Sequence, residues 1–204
     1  MDSTELNCEI IENNENMRKV IAAINMTLDG VCDHTVGIVD EKLHQHYSDL
    51  INNGGVILYG RTTFELMKFW QTLLQNPSGK KSMDDFAISI DKIQKLVFSK
   101  TLKDTSWESA KISDKPLNEK LIELKQQAGK DILIGSRSLI IELLNSNLID
   151  EFQICIHPII EGKGLPLFDQ IKEQIILKLI NTKILDSGVT IFYYQPTTDK
   201  TTNR

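Results

Sequence analysis

Val56-Ile57-Leu58-Tyr59 is an unbroken apolar run with glycine on either side, Gly55 before it and Gly60 after it. A strand with no polar position has no face it can leave in water, so both faces must be covered. Gly60 breaks the run. Arg61-Thr62-Thr63 then lead into Phe64, Leu66, Met67 and Trp70, whose spacing is helical. The stretch GVILYGRTTFE therefore predicts a strand, a tight turn and a helix N-terminus. Such a terminus presents unpaired backbone N–H groups and the positive end of the helix dipole, which suits an anion. Gly60 permits close approach to the backbone, and Arg61, Thr62 and Thr63 add donors. An ordinary strand-to-helix junction capped by threonine is the alternative. Residues Asp131–Leu144, DILIGSRSLIIELL, repeat the device: an apolar run, Gly135, then Ser136-Arg137-Ser138 and an amphipathic helix. A dinucleotide carries a pyrophosphate, and two helix N-termini converging on it would make a suitable cradle. The fingerprint G-x-G-x-x-G is absent.

With 204 residues the chain has enough material for one domain with a substantial core. The net charge of −5 is unevenly placed. Asp2, Glu5, Glu9, Glu12 and Glu15 fall in residues 1–17, which hold no Lys or Arg; the remaining 23 acids match the 23 Lys and Arg. The body thus has no basic excess to drive nucleic-acid binding. No apolar run reaches the roughly 20 residues that span a bilayer, and the N-terminus lacks the basic-then-apolar order of a signal peptide. Cys8, Cys32 and Cys155 are odd in number and widely spaced, which argues against a disulfide framework or a zinc knuckle and for a reducing cytoplasm. No metal site is expected. Residues 1–17 read as a mobile acidic extension, 18–196 as the folded domain and 197–204 as a polar tail.

Along the body, Arg18–Asn25 predicts a central strand, in which small Ala22 and Ala23 mark close approach by a ligand or a neighbouring backbone. Met26–Gly30 is a turn and Val31–Val39 a loop, either a lid or a plain connection. Asp40 can cap a helix of about fourteen residues with Leu43, Tyr47, Leu50 and Ile51 inward, His44 beside that face and His46 nearly opposite. Thr72–Lys81 reads as loop, Met83–Ile93 as a short helix and Lys95–Lys100 as a second buried strand. The Ser99-Lys100-Thr101 cluster at its carboxyl end can take a phosphate or be a solvated strand end. Trp107–Ile112 is a minor strand. Pro116–Gln127 is a helix with Leu117, Leu121, Ile122 and Leu124 apolar, stopped by Gly129. Glu151–Ile156 is a strand ending at His157-Pro158, followed by a glycine-rich excursion through Phe168. Ile175–Thr182 and Val189–Gln195, joined through Asp186-Ser187-Gly188, read as a late antiparallel pair at a sheet edge.

VIAAINMTLDG, VILYGRTTFE, KLVFSKT and ILIGS at a helix start resemble the dihydrofolate reductase superfamily in order and spacing. LIGSRSLIIELLNSNLIDEFQICIHPIIEGKGLPLF resembles the reductase domain of the bifunctional deaminase–reductase of riboflavin biosynthesis and its stand-alone relatives. The resemblance covers about Arg18 to Pro196. It implies an α/β fold of the dihydrofolate reductase-like three-layer type, with a mostly parallel sheet of eight strands and an antiparallel edge. It also implies a homodimer, NADPH as cofactor and hydride transfer to a C=N bond of a small heterocyclic substrate. In the same way it implies that Gly60, Arg61, Thr62 and Thr63, together with Gly135, Ser136, Arg137 and Ser138, hold the cofactor phosphates. Ser99, Lys100 and Thr101 would lie near the adenosine 2′-phosphate, and Ala23 and Ile24 would border the nicotinamide through their backbone. Substrate would lie against Met26–Gly30, the face of His44 and Tyr47, and Trp70, with Asp29 and His44 as the polar groups that orient it.

Two departures stand out. Dihydrofolate reductases place a carboxylate on the first helix to hold the pterin, and counting back from Gly60 this chain offers His44 there, with Asp40, Glu41 and Asp49 off register. The glycine pair usual at the last junction is here Gly135-Ser136, whose serine either crowds or hydrogen-bonds the pyrophosphate. The chain also lacks the H-x-E…P-C-x-x-C signature of a zinc deaminase. The expected activity is that of the riboflavin-pathway reductase; dihydrofolate reduction and non-catalytic nucleotide binding on the same fold are the alternatives.

Overall fold

A computed structural model describes residues 17–38 and 40–197. The extension expected over 1–17 lies outside the described residues except for Met17, and the tail expected over 197–204 lies outside them except for Thr197.

Eight strands form one sheet in the order β4-β3-β2-β5-β1-β6-β8-β7. They are β1 (Val20–Thr27), β2 (Gly54–Gly60), β3 (Gln94–Phe98), β4 (Ala110–Ile112), β5 (Asp131–Ile134), β6 (Glu151–His157), β7 (Ile176–Ile184) and β8 (Thr190–Thr197). β1 to β6 pair in parallel, whereas β8 is antiparallel to both β6 and β7. The described helices are α1 (Glu41–Asn53), α2 (Arg61–Met67), α3 (Phe69–Gln75), α4 (Lys81–Lys92), α5 (Leu117–Lys125) and α6 (Arg137–Asn145).

The apolar run of β2 is sorted as its composition requires. Ile57 and Tyr59 join a core with Ile51 of α1 and Phe86 and Ile90 of α4. Val56 and Leu58 join the opposite core with Leu121 of α5 and Ile140 and Leu143 of α6. Three layers follow, with α1 and α4 on one face and α5 and α6 on the other. The chirality of parallel crossovers sets this division: β1 and β2 connect towards β4 and β5 connects towards β6, so right-handed connections place their helices on opposite faces.

Local differences from the sequence expectations have local causes. The helical stretch after Trp70 continues as α3 to Gln75, so the loop expected from Thr72 begins only at Asn76, where Pro77 prevents continuation. In α5, Leu117 and Leu121 are buried while Ile122 stands exposed, one residue and about 100° away from Leu121. His46 is buried rather than turned away from the core. It follows Leu43 by three residues and so shares its side of α1. Its ring lies edge-on to Tyr47 and Tyr193 at 5.2 and 6.2 Å, and burial, assisted by Lys183 and opposed by Asp49, pushes its pKa down to about 4. β3 ends at Phe98, which leaves Ser99, Lys100 and Thr101 in the loop beyond it.

Candidate functional site

The carboxyl ends of the parallel strands meet at a switch point between β1 and β5, whose following helices lie on opposite faces of the sheet. Crevices of this kind are where open α/β sheets take ligands. The β1–β5 register stops at Ala22↔Ile134, whereas the β1–β6 register continues to Thr27↔His157. From Ala23 onward the β5 side of β1 therefore has no strand neighbour among the described residues. The Lys19 carbonyl accepts from Ile132 on that side and the Val20 carbonyl accepts from Asp150 on the other. By alternation the backbone of Ala23 and Asn25 is directed into the crevice and that of Ile24 towards β6. The Asn25 side chain is fixed by Tyr47, whose hydroxyl donates to its Oδ1 at 3.0 Å.

The two strand-to-helix junctions meet beside this crevice. The Gly60 N–H donates to Ser136 Oγ at 2.8 Å, and a Cβ on Gly60 would sit 3.1 Å from Ser138 Oγ. Ser136 is buried, and its hydroxyl bridges the junctions instead of capping its own helix. Neither α2 nor α6 has a side-chain cap at its N-terminus. Two sets of first-turn N–H groups without side-chain acceptors thus lie side by side, an arrangement suited to two linked phosphates. The absent side chains make the room. A Cβ on Gly135 would come 2.7 Å from the ring of buried Tyr59.

The outer members of the predicted set separate. Arg61 donates through Nη1 to Thr101 Oγ1 at 2.8 Å and through Nε to Glu65 Oε1 at 2.8 Å, so the β3 loop and the first junction are in contact. Ser99 Oγ accepts from the N–H groups of Thr101 and Leu102, shaping the turn, and Lys100 is exposed beside it. Arg137 turns away: its Nε donates to the Pro166 carbonyl at 2.7 Å and its Nη2 pairs with Asp169. Thr62 and Ser138 are exposed at the junction, and Thr63 is half-buried.

On the α1 face of the same sheet edge, a cleft of about 720 Å³ opens between the N-termini of α1 and α4, lined by Asp40, Glu41, His44, Trp70, Lys80 and Met83 among others. The ring of His44 lies edge-on to Trp70 at 5.7 Å and 6.1 Å from Phe86, while Trp70 and Phe86 are 4.5 Å apart. This apolar cage lowers the imidazole pKa by desolvation; Lys80 acts in the same direction and Asp40 against it. His44 is accordingly neutral at pH 7, able to donate from one nitrogen and accept at the other.

Asp29, expected to orient substrate, is hydrogen-bonded to the chain itself. Its carboxylate accepts from Thr27 Oγ1 at 2.5 Å and from the backbone N–H groups of Glu161 and Gly162 at 3.2 and 2.7 Å. It clamps the glycine-rich excursion to the end of β1, and those bonds, Thr27 first, hold its pKa down to about 2. Neighbouring contacts reinforce the clamp: Val31 bridges to Pro166, the Cys32 N–H donates to the Leu165 carbonyl at 2.9 Å, and the Ile38 N–H donates to His157 Nδ1 at 2.9 Å. A carboxylate depressed on folding stabilises above its unfolded pKa and ceases to do so as pH falls through the folded one. Asp29→Asn is therefore expected to lower the melting temperature at pH 6, with the difference from the parent shrinking between pH 4 and pH 2. Thermal melts across that range check this; a difference independent of pH would refute the clamp.

The fold has counterparts among known proteins. A family model described as RibD C-terminal domain matches residues 18–191, from the start of β1 into β8. The chain belongs to the RibD C-terminal domain family. Among its relatives is the uncharacterized protein YyaP of Bacillus subtilis (strain 168), 36% identical over 186 residues, covering 89% of this chain and 97% of that one. The RibD C-terminal domain fold recurs in the diaminohydroxyphosphoribosylaminopyrimidine deaminase/5-amino-6-(5-phosphoribosylamino)uracil reductase of Thermotoga maritima, with TM-score 0.61, 19% identity, and coverage of 90% of this chain and 58% of that one. Dihydrofolate reductase from Enterococcus faecalis superposes with TM-score 0.58 at 13% identity, covering 89% of this chain and 97% of that chain. The chain thus has the dihydrofolate reductase-like fold that its sequence resembles.

Within this RibD C-terminal domain architecture, the sequence showed both strand-to-helix junctions, and it set His44, Tyr47 and Trp70 along the expected substrate site without pairing His44 with Trp70. It missed Lys80 and Met83 of the cleft, because the contact between α4 and α1 joins segments about 40 positions apart and leaves no local signal. It also missed the Tyr47–Asn25 bond, which joins residues 22 positions apart. One signal was available for it: Asn25, on an otherwise small or apolar strand, needs a partner if covered.

Proposed function

We propose that this RibD C-terminal domain protein is an NADPH-dependent reductase that transfers hydride to a C=N bond of a small heterocyclic substrate, of the kind reduced in riboflavin biosynthesis. The observation that carries this is the apposition of two helix N-termini without side-chain caps, tied together by Gly60 and Ser136 at the edge of the switch-point crevice. On this reading the backbone N–H groups of Arg61, Thr62 and Thr63 and of Arg137 and Ser138 hold the pyrophosphate. Gly60 and Gly135 leave room for it. The Arg137 guanidinium, committed to Pro166 and Asp169, takes no part. Ser99, Lys100 and Thr101 receive the 2′-phosphate, with Arg61 already against Thr101. The crevice-facing backbone beginning at Ala23 orients the nicotinamide, and Ile24 supports it from the β6 side. When bound, the dinucleotide supplies hydride from its nicotinamide ring.

The cleft of His44, Trp70 and Phe86 offers a flat apolar wall with a neutral imidazole that can donate to or accept from a heterocycle. Asp29 supports this site as a clamp, and its committed oxygens leave the orienting role to His44. A pterin held by a carboxylate is disfavoured because α1 presents His44 where that acid would stand.

NADPH is expected to bind more tightly than NADH, and Lys100→Ala to weaken NADPH about fivefold to tenfold while leaving NADH nearly unchanged. Fluorescence titration of both cofactors measures this; equal losses would remove Lys100 from the phosphate site. Screening pteridines and ribosylaminopyrimidines for cofactor oxidation then tests the substrate class. Binding without turnover of any of them would favour a non-catalytic nucleotide-binding protein.

A further inference from the structure

Asn25 is the first polar residue along β1, after an apolar run from Val20 to Ile24. It stands opposite Cys155 of β6 and beyond Ala22↔Ile134, the last pair that β1 makes with β5. Its side chain lies on the α1 side of the sheet, where the Tyr47 hydroxyl is 3.0 Å from Oδ1 and 3.4 Å from Cys155 Sγ. Burial raises the pKa of Tyr47 well above its ordinary value, and burial pushes the Cys155 thiol up to about 11. Both groups therefore carry their protons at pH 7.

A phenol has one proton to donate and can also accept. Sulfur is a weak acceptor and an amide oxygen a strong one, so the Tyr47 proton goes to Asn25 and the thiol donates back to the phenol oxygen. The donors then run in one direction, from Cys155 to Tyr47 to Asn25 Oδ1. With its oxygen held in this way, the amide turns Nδ2 away from Tyr47. Asn25 is half-buried, and its two amide N–H groups have no partner among the described residues. Nδ2 is not sealed in the core either. His44, one turn before Tyr47 on α1, lines the cleft on the same side of the sheet.

We propose that Asn25 selects the substrate: its amide nitrogen donates to an acceptor on the edge of the heterocycle, and Tyr47 holds the amide in that orientation. The class of substrate that follows is an oxo-substituted ring, which offers a carbonyl oxygen to Nδ2. A ring with an amino group at that position would set donor against donor and leave both without a partner, which costs more than a neutral hydrogen bond contributes. Asn25 is then a specificity-determining residue and Tyr47 a positioning residue that acts through it. The inference rests on the reductase reading for the location of the site, whereas its test reads binding.

Two rings of one size separate the possibilities. 2,4-Dioxopteridine accepts at the exocyclic positions where 2,4-diaminopteridine donates. Calorimetric titration of the full chain, with and without NADPH, is expected to show the dioxo ring bound about tenfold more tightly. In Asn25→Asp the side chain still accepts from Tyr47 but has no donor, and the order of the two rings is expected to reverse. Tyr47→Phe frees the amide to turn and is expected to narrow the difference to less than about threefold. General loosening of the fold would instead weaken both rings alike. Should Asn25→Asp fail to fold, Asn25→Ala is expected to lose about tenfold for the dioxo ring and to leave the diamino ring unchanged. A parent that binds neither ring or prefers the diamino one, or an order that Asn25 variants do not alter, would overturn the assignment. NADPH oxidation by a heterocycle alongside such an unaltered order would remove the selecting role and leave the reductase standing. The expected order and its reversal, with no NADPH oxidation by any ring, would uphold the selection and remove the reductase.

Discussion

Gly135→Ala is expected to cost about 1–3 kcal/mol of unfolding free energy and to weaken dinucleotide binding more than tenfold. The added Cβ would lie 2.7 Å from Tyr59 Cε1, and Tyr59 is buried in the core between the sheet and the α1–α4 layer. Either the ring moves into that packed core or the β5–α6 turn moves outward, and outward displacement carries Ser136 away from the Gly60 N–H. Stability and function fall together because one turn serves both. Chemical denaturation followed by cofactor titration on the same sample measures the two losses. Unchanged stability would show that Tyr59 yields easily, and unchanged binding in a destabilised variant would separate this turn from the cofactor.

His44→Asp is expected to raise affinity for a diaminopteridine antifolate by about 2 kcal/mol, roughly 30-fold, from a weak starting point. Neutral His44 cannot accept two hydrogen bonds from such a ring, whereas a carboxylate at this place on α1 can. The new charge would stand one turn from Asp40, which opposes it, and near Lys80, which favours it. NADPH affinity is the control and should not move, since the paired junctions lie apart from this position. Tight antifolate binding by the unmodified protein, or efficient dihydrofolate reduction, would show that the site works as a folate reductase without the acid.

The junctions were legible because their signals are local: an apolar run too long to face water, a glycine and helical spacing within a dozen residues. The antiparallel edge was legible for the same reason, through period two on either side of Ser187-Gly188. The roles of Asp29 and Ser136 were not. Asp29 looks available until Glu161 and Gly162, more than 130 positions later, bring their N–H groups to it. Ser136 departs from a glycine pair, and its use appears only once β2 lies beside β5 and Gly60 offers a donor. The burial of His46 follows from Tyr193 of β8 packing across α1, a contact that spacing on the helix alone leaves open. Residues whose partners are distant in sequence are the ones whose contacts the sequence did not show.

The clamp at the end of β1 also has a kinetic consequence. Between the tethers at Cys32 and Ile38 lie only the five residues Asp33–Gly37, whose own hydrogen bonds run from Thr35 and Val36 to Asp33. Such a span is at most about 18 Å long when fully extended, and a short surface segment rearranges in nanoseconds to microseconds. A slow, cooperative swing of the whole loop would require breaking the Val31–Pro166 bridge and the His157 bond together. The loop is therefore confined to short, fast excursions, and movement of the whole segment waits on those two contacts opening together.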